Sequence, residues 1–220
     1  AVSTTTQASA NELTNPGFEI PNFFGWNTFN NTFPSADSPR TGSSGGLVLG
    51  PFFALPHASG IFQDIPATEG AIYEGSIWAI NDTSILDGSN QPDIIAGTGN
   101  VVSLGLEWVE NGATTRVAEE IIFEGSDPNL VLDEFVQGTV VSPPVPAGVD
   151  SVRLVLLFVQ PPTFDGGLVF FDDASLAVIP EPASLGLAVV GLVAVGRRRR
   201  RPTRRSHSGS KHSAAAPGSR

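Results

Sequence analysis

Between residues 11 and 179 apolar side chains recur in short runs with a period near two, and no stretch of ten residues keeps a helical period. The runs at 71–80, 101–109, 115–123, 130–141, 151–159 and 168–178 are rich in Val, Ile, Leu and aromatic residues. Gly, Pro, Asn and Asp separate them. Shorter runs lie at 47–49, 52–55 and 60–65. Asn111-Gly112 is a pair that favours a tight hairpin between its flanking strands. Many short strands punctuated by turns predict an all-β fold, an antiparallel sandwich, for a segment of single-domain size.

The pattern changes after residue 179. Pro180, Glu181 and Pro182 precede residues 183–196, which carry no charge and have Ser184 as their one polar side chain; Arg197, Arg198, Arg199, Arg200 and Arg201 come next. As a helix, residues 183–196 extend about 21 Å, short of the roughly 30 Å hydrocarbon core of a bilayer. Snorkelling arginines and local thinning offset part of that mismatch, so the stretch reads as a transmembrane helix that inserts transiently. Clustered Arg stays on the cytoplasmic side and leaves the body of the chain on the other. A buried core helix with a basic nucleic-acid tail is the alternative, but Gly186, Gly191, Gly196 and the valines make a poor soluble helix. Residues 202–220 hold no aliphatic side chain larger than alanine and are expected to be disordered.

Charge obeys the same division. Residues 1–196 hold Arg40, Arg116 and Arg153 against all 22 acidic residues, a net of −19, while the last 24 residues hold the other nine basic residues and no acid. An acidic body repels nucleic acid and anionic membrane, and no nucleic-acid partner is expected. The chain has no cysteine, which excludes disulfides, thiolate metal sites and cysteine catalysis. Residues 1–10 are expected to be processed or disordered. Ala8-Ser9-Ala10 has the small-x-small form of a signal-peptidase site, although no charged or apolar region precedes it.

The ordered combination of Pro180-Glu181-Pro182, a glycine-bearing apolar segment and the cluster Arg197 to Arg201 resembles the PEP-CTERM sorting signal of exported bacterial proteins. The resemblance implies a signal over residues 180–201 and recognition near the tripeptide by an exosortase-type membrane protease. It further implies passage through the inner membrane, then delivery to the cell surface or an exopolysaccharide matrix of a Gram-negative-type bacterium. The continuation over 202–220 departs from the family pattern.

A second resemblance lies at the two ends of the body. Asn11-Glu12-Leu13-Thr14-Asn15-Pro16-Gly17-Phe18-Glu19 with Gly25-Trp26, and Phe170-Phe171-Asp172-Asp173-Ala174-Ser175-Leu176, are similar to the opening and closing strands of carbohydrate-binding modules with a galactose-binding-like jelly roll. Residues 11–179 are therefore expected to form a jelly-roll β-sandwich. The resemblance implies a structural calcium held by Glu19, Asp172 and the Gly17 carbonyl, with the Gly-rich loop 41–46 nearby. Two carboxylates plus carbonyls suit an ion that takes six to eight oxygens. The alternative is that both acids satisfy backbone donors.

Sugar recognition needs exposed aromatic platforms beside polar groups. Alternation puts Trp78 on one face of its strand with Ser76 and Glu74, opposite Tyr73 and Ile77, and Asn81 just past the strand is a polar neighbour. Trp108 is a further ring. Arg153 lies in an apolar strand, so it is at a site or paired with an acid. Trp26, beside several phenylalanines, reads as core.

Catalytic readings are weaker. Gly42-Ser43-Ser44-Gly45-Gly46 fits G-x-S-x-G, yet Leu47-Val48-Leu49-Gly50-Pro51 cannot start a helix of useful length, so the segment reads as a turn. His57 has no obvious partner. Glu119-Glu120 and Asp172-Asp173 are sequence neighbours, which on a strand point to opposite faces. The preferred function is a non-catalytic exported surface or matrix protein that binds polysaccharide. The others are a secreted glycan hydrolase using converging carboxylates and a purely structural surface protein.

Overall fold

The structure is a computed structural model that describes residues 10–50, 57–85, 95–162 and 166–180. Its strands are β1 (Asn27–Phe29), β2 (Thr32–Ser35), β3 (Gly45–Leu49), β4 (His57–Pro66), β5 (Ile72–Ile80), β6 (Val101–Glu110), β7 (Ala113–Glu124), β8 (Val136–Val141), β9 (Ser151–Gln160) and β10 (Leu168–Ile179). They form two five-stranded antiparallel sheets, β1-β4-β9-β6-β7 (sheet A) and β2-β3-β10-β5-β8 (sheet B). No described residue is helical. The fold is the expected all-β, jelly-roll-like sandwich. The transient helix at 183–196, the arginine cluster and the tail lie outside the described residues, as does the run at 52–55.

Period-two alternation builds the core. In β9 the inward residues Val152, Leu154, Leu156 and Phe158 are fully buried, and in sheet B so are Ile77, Val169, Phe171 and Leu176. Each such side chain contributes roughly 1.5–3 kcal/mol on leaving water. Trp26 is core, as expected, and its indole N–H donates to the Asn15 carbonyl at 2.9 Å. The hairpin at Asn111-Gly112 is also present: both residues have positive φ, 49° and 80°, which a two-residue turn of this kind requires.

Several features differ from the sequence expectation. The run 130–141 is a strand only from Val136, because the Leu130 N–H turns back onto the Asp127 carbonyl and Asp133 adopts a φ of 61°. Strands β1 and β2 carry no signal; they are three and four residues long, and Pro34 interrupts the alternation of the second. At Asp172/Ser175 the register of β10 against β5 shifts, with Asp173 at a φ of 49°. This bulge overturns the expectation that Asp172 and Asp173 face opposite ways, since both carboxylates reach the loop around residues 40–41.

Candidate functional site

The outer face of sheet A is a grid set by strand register. One row across the strands holds Asp64 (β4), Arg153 (β9), Glu107 (β6) and Arg116 (β7). The next holds Asn27, Phe62, Val155, Gly105 and Glu119, and the third Phe29, Gly60, Leu157, Ser103 and Ile121. A charged row thus borders an apolar one.

Charges in the first row alternate in sign and are paired. The Arg153 Nε donates to Asp64 Oδ1 at 2.7 Å and Nη2 to Oδ2 at 3.0 Å, the two-pronged geometry that makes Arg–carboxylate pairs strong. Hydrogen bonding to Asp64 holds the Arg153 pKa above its ordinary value, with burial opposing. The opposite side of the guanidinium approaches Glu107 Oε2 at 3.8 Å. Arg116 donates to Glu107 Oε1 from Nε at 3.2 Å and Nη2 at 3.0 Å, and to Glu119 Oε1 from Nη1 at 2.7 Å. Ser103 Oγ donates to the same Glu119 oxygen at 2.9 Å.

The apolar part is shaped by two glycines. Phe29 lies over Gly60 and its ring centroid is 6.4 Å from that of Phe62, while the Arg116 guanidinium lies over Gly105. Val155 and Leu157 form the floor between them, and Ile121 stands 55% exposed at the far strand. The result is an amphipathic strip crossing the strands. It can meet the apolar face of a pyranose on Phe29, Leu157 and Ile121, and hydroxyl groups on Glu119, Arg116 and Asp64.

A second cluster ties the chain's start to its last strand. Asp172 is fully buried; its Oδ2 accepts the N–H groups of Arg40 and Thr41 at 2.8 and 3.0 Å, and its Oδ1 accepts that of Asp173 at 2.7 Å. Burial pushes its pKa up, against the pull of those bonds. Glu19 accepts the Ser43 N–H at 2.9 Å, the Ser43 hydroxyl at 2.9 Å and the Ser44 N–H at 3.1 Å, and these donors, the Ser43 N–H first, hold its pKa below the usual carboxylate range. The loop packs so closely on Glu19 that a side chain on Gly42, at a φ of 65°, would collide with the carboxylate. The Gly42–Gly46 segment is thus a turn latched to Glu19.

Four residues expected in one sugar site are dispersed. Arg153 lies on the outer face of sheet A. Trp78 lies on the outer face of sheet B with Ser76 and Glu74, paired across strands with Asp172 and Gln137, and the Arg40 guanidinium covers its ring at 3.9 Å. Trp108 points inward opposite Val152 and belongs to the core. Asn81 is fully buried: its side-chain N–H donates to the Leu168 carbonyl at 3.0 Å, and its Oδ1 accepts the Ile95 N–H. Burial removes Trp108 and Asn81 from any surface platform. Phe29, Phe62, Glu107, Arg116 and Glu119 were missed, although the hairpin at Asn111-Gly112 fixes Glu107 and Arg116 near one another.

These features define the class: the body is a jelly-roll β-sandwich of the kind found in carbohydrate-binding modules. Similar solved structures include TmCBM61 in complex with β-1,4-galactotriose, with a TM-score of 0.51 and 14% identity over 77% of this chain and 99% of that one. The Stig cyclase Fisc from Fischerella sp. TAU, in complex with a pyrrolidinylidene-indole, has a TM-score of 0.55 and 17% identity over 80% and 100%. The CBM22-1-GH10 modules of Clostridium thermocellum xylanase 10B complexed with xylohexaose have 0.50 and 15% over 80% and 30%. At these identities the likeness is one of fold. Residues 178–201 match the family model of the PEP-CTERM protein-sorting motif, so the chain carries that export and membrane-anchored sorting signal. No curated protein matches the sequence.

Proposed function

We propose that this is a non-catalytic, exported surface or matrix protein whose sandwich binds polysaccharide across the outer face of sheet A. An exosortase-type membrane protease processes it after transient insertion of residues 183–196, and it then resides on the cell surface or in the extracellular matrix of a Gram-negative-type bacterium. The observation that carries the binding reading is the apolar strip of half-buried Phe29 and Leu157 with exposed Ile121, beside the paired row Asp64, Arg153, Glu107 and Arg116. The carboxylates of that row are engaged with guanidinium groups rather than facing each other across an open gap, which favours binding over hydrolysis.

Calcium belongs to the same reading as a structural support. Among the described residues no three acidic or histidine side chains are grouped as metal ligands, so the ion would rest on two carboxylates and carbonyl oxygens. What supports the reading is proximity: a Cβ placed on Gly17 would lie 3.8 Å from Asp172 Oδ1, 3.6 Å from Asp173 Oδ1 and 3.9 Å from Glu19 Cγ. Glu19, Asp172 and the Gly17 carbonyl would hold it, and its charge would offset a buried carboxylate that otherwise has only N–H dipoles on it.

The test is a glycan array that includes β-1,4-galactotriose and xylohexaose, run beside a hydrolysis assay on the same sugars. Binding without turnover is expected. Turnover would replace this reading with the hydrolase, and neither binding nor turnover would leave a purely structural role.

A further inference from the structure

Every arginine of the body is already engaged by a carboxylate. No lysine precedes Lys211, and the arginines before residue 197 are Arg40, Arg116 and Arg153. Arg40 Nη1 donates to Asp173 Oδ2 at 2.7 Å on the other sheet. On sheet A, Arg153 gives Nε and Nη2 to Asp64, and Arg116 gives Nε and Nη2 to Glu107 and Nη1 to Glu119. The face of the Arg153 group lies on the Phe62 ring. A carboxylate or sulfate on a ligand finds no open guanidinium fork there.

The exposure of these groups favours the opposite sign. The side chains of Glu119 and Asp64 are 46% and 34% exposed, against 28% and 20% for Arg116 and Arg153. A ligand on the strip therefore meets carboxylate oxygen before guanidinium. Glu119 Oε1 takes the Arg116 and Ser103 donors, while its Oε2 has no hydrogen bond among the described residues, and Glu119 lies two residues from Ile121 on β7. The row on the far side of the strip, Ala58, Val159, Val101 and Glu124, holds no cation. The three carboxylates Asp64, Glu107 and Glu119 against the two guanidinium groups leave the site at −1, within residues 1–196 that carry −19.

We infer that the strip selects its polysaccharide by charge: it takes chains that are neutral or carry amino groups, the amino-bearing ones more tightly, and rejects uronate and sulfated chains. This rests on the reading that the outer face of sheet A binds polysaccharide. An acidic chain brings a charge of the same sign against Glu119 and Asp64 at each ring, with no guanidinium left to offset it. An ammonium on the sugar instead forms a charge-assisted hydrogen bond to the open Glu119 oxygen.

The experiment places the full chain on an array of β-1,4-linked hexaoses of glucose, glucosamine and glucuronate, which share a backbone and differ in charge, with xylohexaose and β-1,4-galactotriose beside them. The nine basic residues after residue 196 attract an anionic chain by themselves, so occupancy of the strip is read by displacement of the tightest-binding neutral glycan, carrying a fluorophore. At low salt glucosamine hexaose should displace it about tenfold better than glucose hexaose, and the advantage should shrink as salt screens the charges. Glucuronate hexaose should not displace it. Displacement by glucuronate as effective as by glucose, or no advantage for glucosamine, would overturn the inference, whereas an array on which no glycan binds would overturn the polysaccharide reading on which it rests. Asp64→Asn combined with Glu119→Gln removes two of the three carboxylate charges and turns −1 into +1. That variant should admit glucuronate; if it melts as a folded protein and still rejects the acidic chain, shape excludes it and the inference falls. Glu119→Gln alone, at the most exposed of these side chains, should remove most of the glucosamine advantage, and an undiminished advantage would count equally against the inference.

Discussion

The guanidinium of Arg153 lies 3.8 Å from the centroid of the Phe62 ring, and the same group grips Asp64 with two hydrogen bonds. Phe62 and Asp64 lie on β4 two residues apart, and Arg153 comes from β9, where it pairs with Asp64 in register. Stack and fork together hold the arginine flat on the sheet. That leaves half-buried Phe29 and Leu157 with exposed Ile121 as the apolar surface and makes the charged row one edge of the proposed sugar strip.

Removing that support should weaken binding more than folding. Phe62 is half-buried, so Phe62→Ala takes away the stack, worth about 0.5–1 kcal/mol at an exposed site, with a modest loss of packing. Calorimetric titration of a glycan selected on the array should show affinity lowered about tenfold or more, equivalent to ~1.4 kcal/mol. A variant that melts within a few degrees of the parent and binds as tightly would place the sugar elsewhere.

The Arg153–Asp64 pair can be apportioned with a double-mutant cycle of Arg153→Leu and Asp64→Asn. The side chains are 20% and 34% exposed, so solvent screening limits the coupling to about 0.5–1 kcal/mol despite the good geometry. Arg153→Leu should cost more than Asp64→Asn, because it also leaves Glu107 with Arg116 alone. Equal costs in urea denaturation would mean that neither the stack nor Glu107 contributes.

Much of this architecture was legible beforehand, and the reasons for the gaps are physical. The apolar runs marked β5, β6, β7, β9 and β10, and alternation placed Trp78 and Ile77 on opposite sides. What alternation does not carry is which outer face is open. Trp78 has the same sequence signature as a sugar platform, yet it lies under Arg40, 38 positions earlier in the chain, and only the fold brings those two together. Asp172 and Asp173 show the same limit, since a bulge turns neighbours that should diverge toward one loop. The resemblance at the body's two ends singles out Glu19 and Asp172, and the structure brings both onto the loop at 40–44, where they accept backbone N–H groups.

Glu19 gives a pH dependence of definite sign. Its folded pKa is lowered below 4.5 by the N–H and hydroxyl groups of Ser43 and the N–H of Ser44, so its stabilising effect is present above that value and is lost as pH falls through the folded pKa. Glu19→Gln should therefore lower the melting temperature at pH 7, and the gap from the parent should close on acidification below 4.5. Asp172 acts in the opposite sense, because burial raises its pKa and makes its charged form the costly one. Asp172→Asn should accordingly lose less stability at pH 7 than its three accepted hydrogen bonds would indicate. A gap for Glu19→Gln that persists at pH 3 would show that the side chain acts through packing instead.

Calcium removal tests the proposed support directly. An ion at 100 times its dissociation constant stabilises a protein by about 2.7 kcal/mol. Chelator should therefore lower the melting temperature by several degrees, and added calcium but not magnesium should restore it. The shift should vanish in Glu19→Gln and in Asp172→Asn. An unchanged melt with chelator would show that the two carboxylates serve only the protein donors of residues 40–44 and Asp173.

Two glycines of the strip separate shape from charge. A Cβ on Gly60 would come 2.5 Å from the Leu156 carbonyl oxygen and 2.6 Å from the Phe29 ring, so Gly60→Ala meets backbone that cannot yield. It should destabilise by about 1–3 kcal/mol through overpacking, and should lift Phe29 out of the strip. On Gly105 the Cβ would meet the end of Arg116, 2.5 Å from Nη1, and that flexible side chain can swing away. Gly105→Ala should then cost little stability while loosening Arg116 from Glu107 and Glu119. If polysaccharide uses the polar edge of the strip, Gly105→Ala will lower affinity at nearly constant melting temperature. If only the apolar strip matters, affinity will fall in Gly60→Ala alone.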